Sequence, residues 1–277
     1  MSPEKMIIFD YSGTLSLEAP LFAGPDFLMQ HIEETGLRDF GIDNPRIFWE
    51  QLVNPTWVEG STTNTGYKRV LFDRIIAVLN ADMPMQQRDV LADAVSAFVD
   101  SYLKHSRIDT RWKPVLRRIN AHPSIRAVIA TDHYAEATGA IMRLLGDWQI
   151  KAVTATEAAS NPQVASFIVA NSADIGFHKV DPRFWQSLKT DLRLDVIHRI
   201  LIIDDFGYNE QDADDYSNRQ KVDARMKETV MTLETVFSAA IDVFPVMIGT
   251  YASGRDGRLE NLIEDAAAAI ERHLTFL

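Results

Sequence analysis

Met6-Ile7-Ile8-Phe9-Asp10-Tyr11-Ser12-Gly13-Thr14 is the stretch on which the reading of this chain turns. Four apolar residues follow one another without a polar break, then give way at once to a carboxylate, hydroxyls and a glycine. Continuous hydrophobicity of this kind suits a strand covered on both faces, as in a parallel sheet, whereas alternation would suit a half-exposed one. Four more short runs share the pattern: 127–130, 167–170, 200–203 and 244–248. Amphipathic helical segments separate them, among them Ala135–Leu145, Pro182–Leu192 and Asn261–Leu274. Strand–helix alternation predicts an α/β fold built on a doubly wound parallel sheet of at least five strands.

The spacing is uneven. More than a hundred residues lie between the first run and the second. Their patterns are wholly helical, over Asp26–Thr35, Pro45–Val53, Tyr67–Asn80 and Gln86–His105. Leu71, Ile75, Val78 and Leu79 recur at helical spacing, as do Leu91, Val95, Phe98, Val99 and Tyr102, which marks a core stripe. The predicted organisation is a Rossmann-like core over 1–16 and 112–277, with an all-helical insertion over 17–111. A further long helix is expected over Ser217–Ala240, either as sheet cover or as a homodimer contact.

Composition narrows the chemistry. A net charge of -11 argues against nucleic acid or an anionic membrane as partner. It leaves room for a phosphate substrate, because a bound dication can invert the local potential. There is no cysteine, which removes thiolate metal sites, disulfides and a Cys nucleophile. No apolar stretch reaches the roughly 18 residues of a spanning helix, and the expected location is cytoplasmic.

In an open parallel sheet, ligands bind beyond the carboxyl ends of the strands. The residues there are Asp10, Ser12, Gly13 and Thr14 after the first run, and Thr131, Asp132 and His133 after the second. Gly176-Phe177-His178-Lys179-Val180-Asp181-Pro182 follows the next, and Asp204-Asp205 the one after, with Asn209 and Glu210 a turn later. These segments resemble, in order, the four motifs of the haloacid dehalogenase-like superfamily. FDYSGTL is similar to its DxDGT signature and IATD to its strand-two Ser/Thr motif. GFHKVDPRFW is similar to G-x-x-K-P-D-P-x-x-F, with Val180 in place of a proline, and LIIDDFGYNEQDA to the hhhDD motif. The insertion stands where that family carries its C1-type helical cap.

The resemblance implies a Mg²⁺-dependent phosphatase-type hydrolase acting on a small phosphorylated metabolite. Asp10 would be the nucleophile that forms an aspartyl-phosphate. Asp10, the carbonyl of Ser12, Asp205 and a supporting Asp204 would hold the metal through oxygen ligands. Thr131 would donate its hydroxyl to the transferring group, and Lys179 would neutralise charge. Gly13, Thr14, Asp132, His133 and Lys68 are the candidates for substrate contact, whereas His178 is expected to be structural. One departure matters. The family's phosphatases carry a second Asp two residues after the nucleophile, and Ser12 cannot replace its acid–base help, typically worth 10²–10⁴-fold. That predicts a preference for good leaving groups. The alternatives are C–P cleavage of a phosphonate through a Schiff base on Lys68, and a binding protein that keeps a metal-phosphate pocket. Trp57–Thr63 is expected to be a loop governing specificity, with Tyr67, Lys68 and Arg69 supplying charge for a second anionic group.

Overall fold

In a computed structural model, described over residues 4–79, 82–122, 125–161, 167–210, 219–250 and 255–275, the chain forms a parallel α/β sheet covered by helices on both faces. The strands are β1 (Lys5–Phe9), β2 (Ile125–Thr131), β3 (Ala152–Thr154), β4 (Phe167–Asn171), β5 (Arg199–Asp204) and β6 (Ala240–Pro245). Their order is β3-β4-β2-β1-β5-β6, and every pairing is parallel. After β1 the chain builds outward on one side, then returns to add β5 and β6 on the other. The carboxyl end of β1 therefore lies where the winding reverses, which is where such sheets open a crevice.

The helices before β2 are α1 (Ala19–Phe22), α2 (Pro25–Glu34), α3 (Trp57–Ser61), α4 (Tyr67–Leu79), α5 (Met85–His105) and α6 (Lys113–Asn120). Those after it are α7 (Glu136–Asp147), α8 (Ala155–Ser160), α9 (Ser172–Ile175), α10 (Pro182–Asp191), α11 (Arg219–Phe237) and α12 (Arg255–Thr275). A π-helical stretch, Ile47–Val53, joins the first group.

Side chains of a strand alternate between faces, and β1 uses both. Ile7 and Phe9 bury into one cluster with Trp112, Leu116 of α6, Ile141 of α7 and Leu262 of α12. Met6 and Ile8 bury into the other with Phe184 and Trp185 of α10 and Leu233 of α11. Two buried faces explain the unbroken apolar run. A third cluster is separate: Leu28, Ile32, Leu71, Val95 and Phe98 pack together within the helical layer between β1 and β2, and among the described residues Tyr134 alone enters it from beyond β2. The regular structure described between 19 and 105 is entirely helical.

One strand expectation needs correction. The last strand is Ala240–Pro245, not 244–248. It is an edge strand with its residues partly exposed, so it tolerates Asp242, which pairs with Arg199 at 2.8 Å, and a search for a continuous apolar run passes over it. Val246 still donates its amide to the Asp204 carbonyl at 3.0 Å just past the strand, and Ile248 falls in a 3₁₀ turn. β3 is a three-residue edge strand, too short to carry a period. The expected helix ends at Asn80 and Ser217, and the final residues Gln211–Ala213 of the fourth motif-like segment, lie outside the described residues. Among the described residues no helix is long and apolar enough to cross a membrane.

Candidate active site

The register sets the site. Phe9 of β1 pairs with Ile129 of β2 and Ile203 of β5, so the residues following all three strands emerge together. The Asp10 amide still donates to the Ile203 carbonyl at 2.9 Å, which fixes the carboxylate at the sheet edge. Beyond it, Gly13 adopts φ 72° and its amide donates to the Ser16 carbonyl at 2.9 Å, closing a tight turn. A Cβ at Gly13 would stand 2.5 Å from Asp205 Oδ2. Glycine is thus required twice, for its left-handed backbone and for the approach of a carboxylate.

Asp10, Asp204 and Asp205 are all buried, and each offers an oxygen within 4.8 Å of the others'. Lys179 Nζ donates to Asp10 Oδ1 at 2.5 Å and to Asp204 Oδ2 at 3.0 Å. The Asp204 and Asp205 side chains also accept backbone amides: Phe206 to Asp204 at 2.6 Å, and Gly207 and Asn209 to Asp205 at 3.1 and 2.9 Å. Phe206 pays for this tight wrap with a φ of 52°, a backbone region that costs a non-glycine residue of order 1–3 kcal/mol. Asn209 ties the turn down by donating to the carbonyls of Gly13 (2.8 Å) and Val246 (2.7 Å).

Charge is poorly balanced here. Burial raises the Asp10 carboxyl to about 7, against the pull of Lys179 and with further help from Asp204. Burial likewise raises Asp205, and the charges of Asp10, Glu210 and Asp204 add to it. Three clustered carboxylates, two of them paired with the same lysine, form an oxygen-rich nest. That donor set fits a hard dication such as Mg²⁺, which favours carboxylates and retained waters.

A cavity of about 220 Å³ opens over the three carboxylates, and Ser12, Thr131, Asp132, His133 and Lys179 also line it. Asp132 accepts the Lys179 amide at 2.9 Å, and the Lys179 carbonyl accepts from Trp185 Nε1 at 2.7 Å, so the lysine is anchored on both sides. Ser12 Oγ donates to Glu210 Oε1 at 2.8 Å. His133 is buried with Nδ1 accepting from the Tyr134 amide at 2.8 Å, so the proton sits on Nε2, 2.8 Å from the Tyr102 hydroxyl. Burial lowers this imidazole to about 4, and it is neutral near pH 7.

Three expected substrate contacts do not line the cavity. Gly13 spends its amide on the turn and acts through the space it leaves for Asp205. Thr14 is buried, its hydroxyl accepting the Asp205 amide at 3.0 Å, and so braces the site from behind. Lys68 points along the α4–α5 pair, where Asp100 and Ser96 each hold its ammonium at 2.8 Å. Arg69 is held by Asp73 at 2.6 Å. Neither cation faces a second anionic group, and the Schiff-base alternative loses its lysine. Of the segment 57–63, only Trp57 lines the cavity, and the segment opens with helix α3 in place of the expected loop.

The helical layer is fastened to the sheet at several points. The Glu136 carboxylate of α7 accepts the amides of Tyr67 (2.7 Å) and Lys68 (3.1 Å) at the start of α4. Tyr134 stacks on Tyr67 with ring centres 4.0 Å apart. Ser61 Oγ lies 2.6 Å from His178 Nε2, and the Ser61 carbonyl accepts from Ser172 Oγ at 2.5 Å. His178 also stacks on Trp57, so it serves this junction. Sequence patterns leave Tyr134 and Arg225 unassigned, yet both line the cavity, as does Tyr102. Tyr102 had been placed on a core stripe, and nothing in a periodic pattern distinguishes a core aromatic from a cavity wall.

No protein-family model and no curated protein sequence matches the chain. Among solved structures, it is similar to the crystal structure of 2-haloacid dehalogenase from Pseudomonas syringae pv. Tomato DC3000. That similarity covers 81% of this chain and 84% of that one, at 17% identity and a TM-score of 0.46.

Proposed function

We propose that the chain is a haloacid dehalogenase-like hydrolase that removes the phosphoryl group from a small phosphorylated metabolite, with Asp10 as nucleophile. The observation that carries this reading is the buried trio Asp10, Asp204 and Asp205 with Lys179 seated among them at the carboxyl edge of the sheet. A carboxylate attacking a phosphate ester must overcome repulsion between two anions. Asp10, Asp204, Asp205 and the Ser12 carbonyl would hold Mg²⁺, which supplies the charge neutralisation that this attack needs.

An Asp10 oxygen forms the bond to phosphorus while the ester P–O bond breaks, and the electron pair leaves on the departing oxygen. Water then attacks phosphorus, the Asp10–phosphorus bond breaks, and the Asp10 carboxylate and inorganic phosphate are regenerated. The water's proton balances the one taken up by the leaving oxygen. Lys179 stabilises charge on both sides of each step, and Thr131 donates a hydroxyl to the transferring group. Ser12 offers no acid for the leaving oxygen, which favours leaving groups that depart as stable anions.

Phosphate release from acetyl phosphate and from an alkyl phosphate tests the reading. Activity is expected with Mg²⁺, faster on the acyl phosphate, and lost in Asp10→Asn or on chelation. Release that is indifferent to both would overturn it.

A further inference from the structure

We propose that the substrate, taken as a phosphate ester under the reading above, carries its phosphoryl group on a compact aromatic alcohol, a single-ring phenol in the simplest case. The cavity does not end at the carboxylates. It continues into the helical layer, where Phe22, Phe48, Trp49, Trp57, Phe98 and Tyr102 wall it. An aromatic wall of this kind gains from offset or edge-on contact with a flat ring, beyond plain burial.

Charge points the same way. Among the described residues, Lys179 and Arg225 are the cations on the cavity wall, and both belong to the sheet side. Lys68 and Arg69 of α4 are engaged by Asp100 and Asp73 instead. A second phosphate or a carboxylate on the leaving group would therefore enter an apolar chamber without a counter-ion, at a steep desolvation cost. The polar side chains described on the helical side of the cavity are Asn54, Tyr67, Tyr102 and the indoles of Trp49 and Trp57, none of them charged, and the Tyr102 hydroxyl is already linked to the neutral His133 at 2.8 Å.

Size suits a single ring. An engineered cavity of roughly 150 Å³ holds benzene, so about 220 Å³ accommodates one ring together with its phosphoryl group. The chemistry agrees independently. A phenol ionises near pH 10, so phenoxide departs without the proton that Ser12 fails to provide.

Binding and turnover, both with Mg²⁺ on the full chain, separate this proposal from the hydrolase reading. Phenylphosphonate and methylphosphonate share a non-hydrolysable P–C headgroup and differ by the ring. Calorimetry should show phenylphosphonate binding about 10- to 100-fold tighter, the range for burying one aromatic side chain. Trp49→Ala and Trp57→Ala, both at partly exposed positions, should each reduce that ratio without weakening methylphosphonate. Phenyl phosphate should turn over faster than glycerol phosphate. Equal binding of the two phosphonates, or binding of neither, overturns the aromatic-substrate proposal. Rapid release from acetyl phosphate with no preference for phenyl over glycerol phosphate also overturns it, and leaves the hydrolase reading standing. A retained phosphonate ratio with no turnover of any phosphate overturns the hydrolase reading and keeps the aromatic chamber as a binding site.

Discussion

Lys179 Nζ lies 2.5 Å from Asp10 Oδ1, and the same ammonium reaches Asp204 at 3.0 Å, so one cation serves two buried carboxylates. Its backbone is held on both sides, by Asp132 at the amide and by Trp185 at the carbonyl. Lys179→Met keeps most of the side chain's volume and removes the charge. Turnover is expected to fall about 10²–10³-fold, the loss seen when one preorganised electrostatic group is deleted. Phosphate release with a far-UV spectrum as folding control measures it.

Metal occupancy should be visible without catalysis. A ligand at one hundred times its Kd adds about 2.7 kcal/mol to stability, so Mg²⁺ should raise the unfolding temperature and a chelator should reverse the rise. Asp10→Asn is expected to lose this response. Because burial already strains the Asp10 charge, the variant's metal-free midpoint should equal or exceed that of the parent. A thermal scan with and without chelator reports both.

Two glycines form a controlled pair. Gly13 and Gly36 share a left-handed backbone, φ 72° and 79°. A Cβ at Gly36 meets nothing within 4 Å, whereas at Gly13 it meets Asp205 Oδ2 at 2.5 Å. Gly36→Ala should cost only the backbone strain of about 1–2 kcal/mol and leave Mg²⁺ affinity intact. Gly13→Ala should cost that and also weaken Mg²⁺ binding, because Asp205 must move. Urea midpoints and metal titration distinguish the two.

His133 makes stability depend on pH. The folded chain holds this imidazole near 4, against 6.5 in an unperturbed one. As pH falls below 6.5, the unfolded chain takes up a proton that the folded chain refuses, so the fold loses stability. The loss begins near 6.5 and is complete by about 4, reaching about 3 kcal/mol. Above 6.5 there is no contribution. His133→Gln should flatten this slope while other groups act equally in both proteins; urea melts at pH 7.5 and 4.5 give the difference.

The sheet was legible in the sequence because β1, β2, β4 and β5 are buried on both faces and leave unbroken apolar runs. The edge strands were not, since a half-exposed strand accommodates Asp242 and a three-residue strand has no period. The residues at the strand ends could be placed together because parallel register carries them to one edge. The direction of side chains could not. Thr14 and Lys68 each look like contacts to a substrate, yet they answer to partners far along the chain, Asp205 and Asp100. The aromatic wall was hidden for a related reason: Phe22, Phe48 and Phe98 belong to the packed cluster of the helical layer and line the cavity at once.

Glu136 of α7 caps the start of α4 across the boundary between sheet and helical layer. Its carboxylate satisfies two of the amides that a helix start leaves without internal partners, those of Tyr67 and Lys68. Separation of the helical layer from the sheet at this point would strip α4 of its cap. Fraying of that turn would leave both amides unpaired, so hydrogen exchange at Tyr67 and Lys68 measures how firmly this fastening holds.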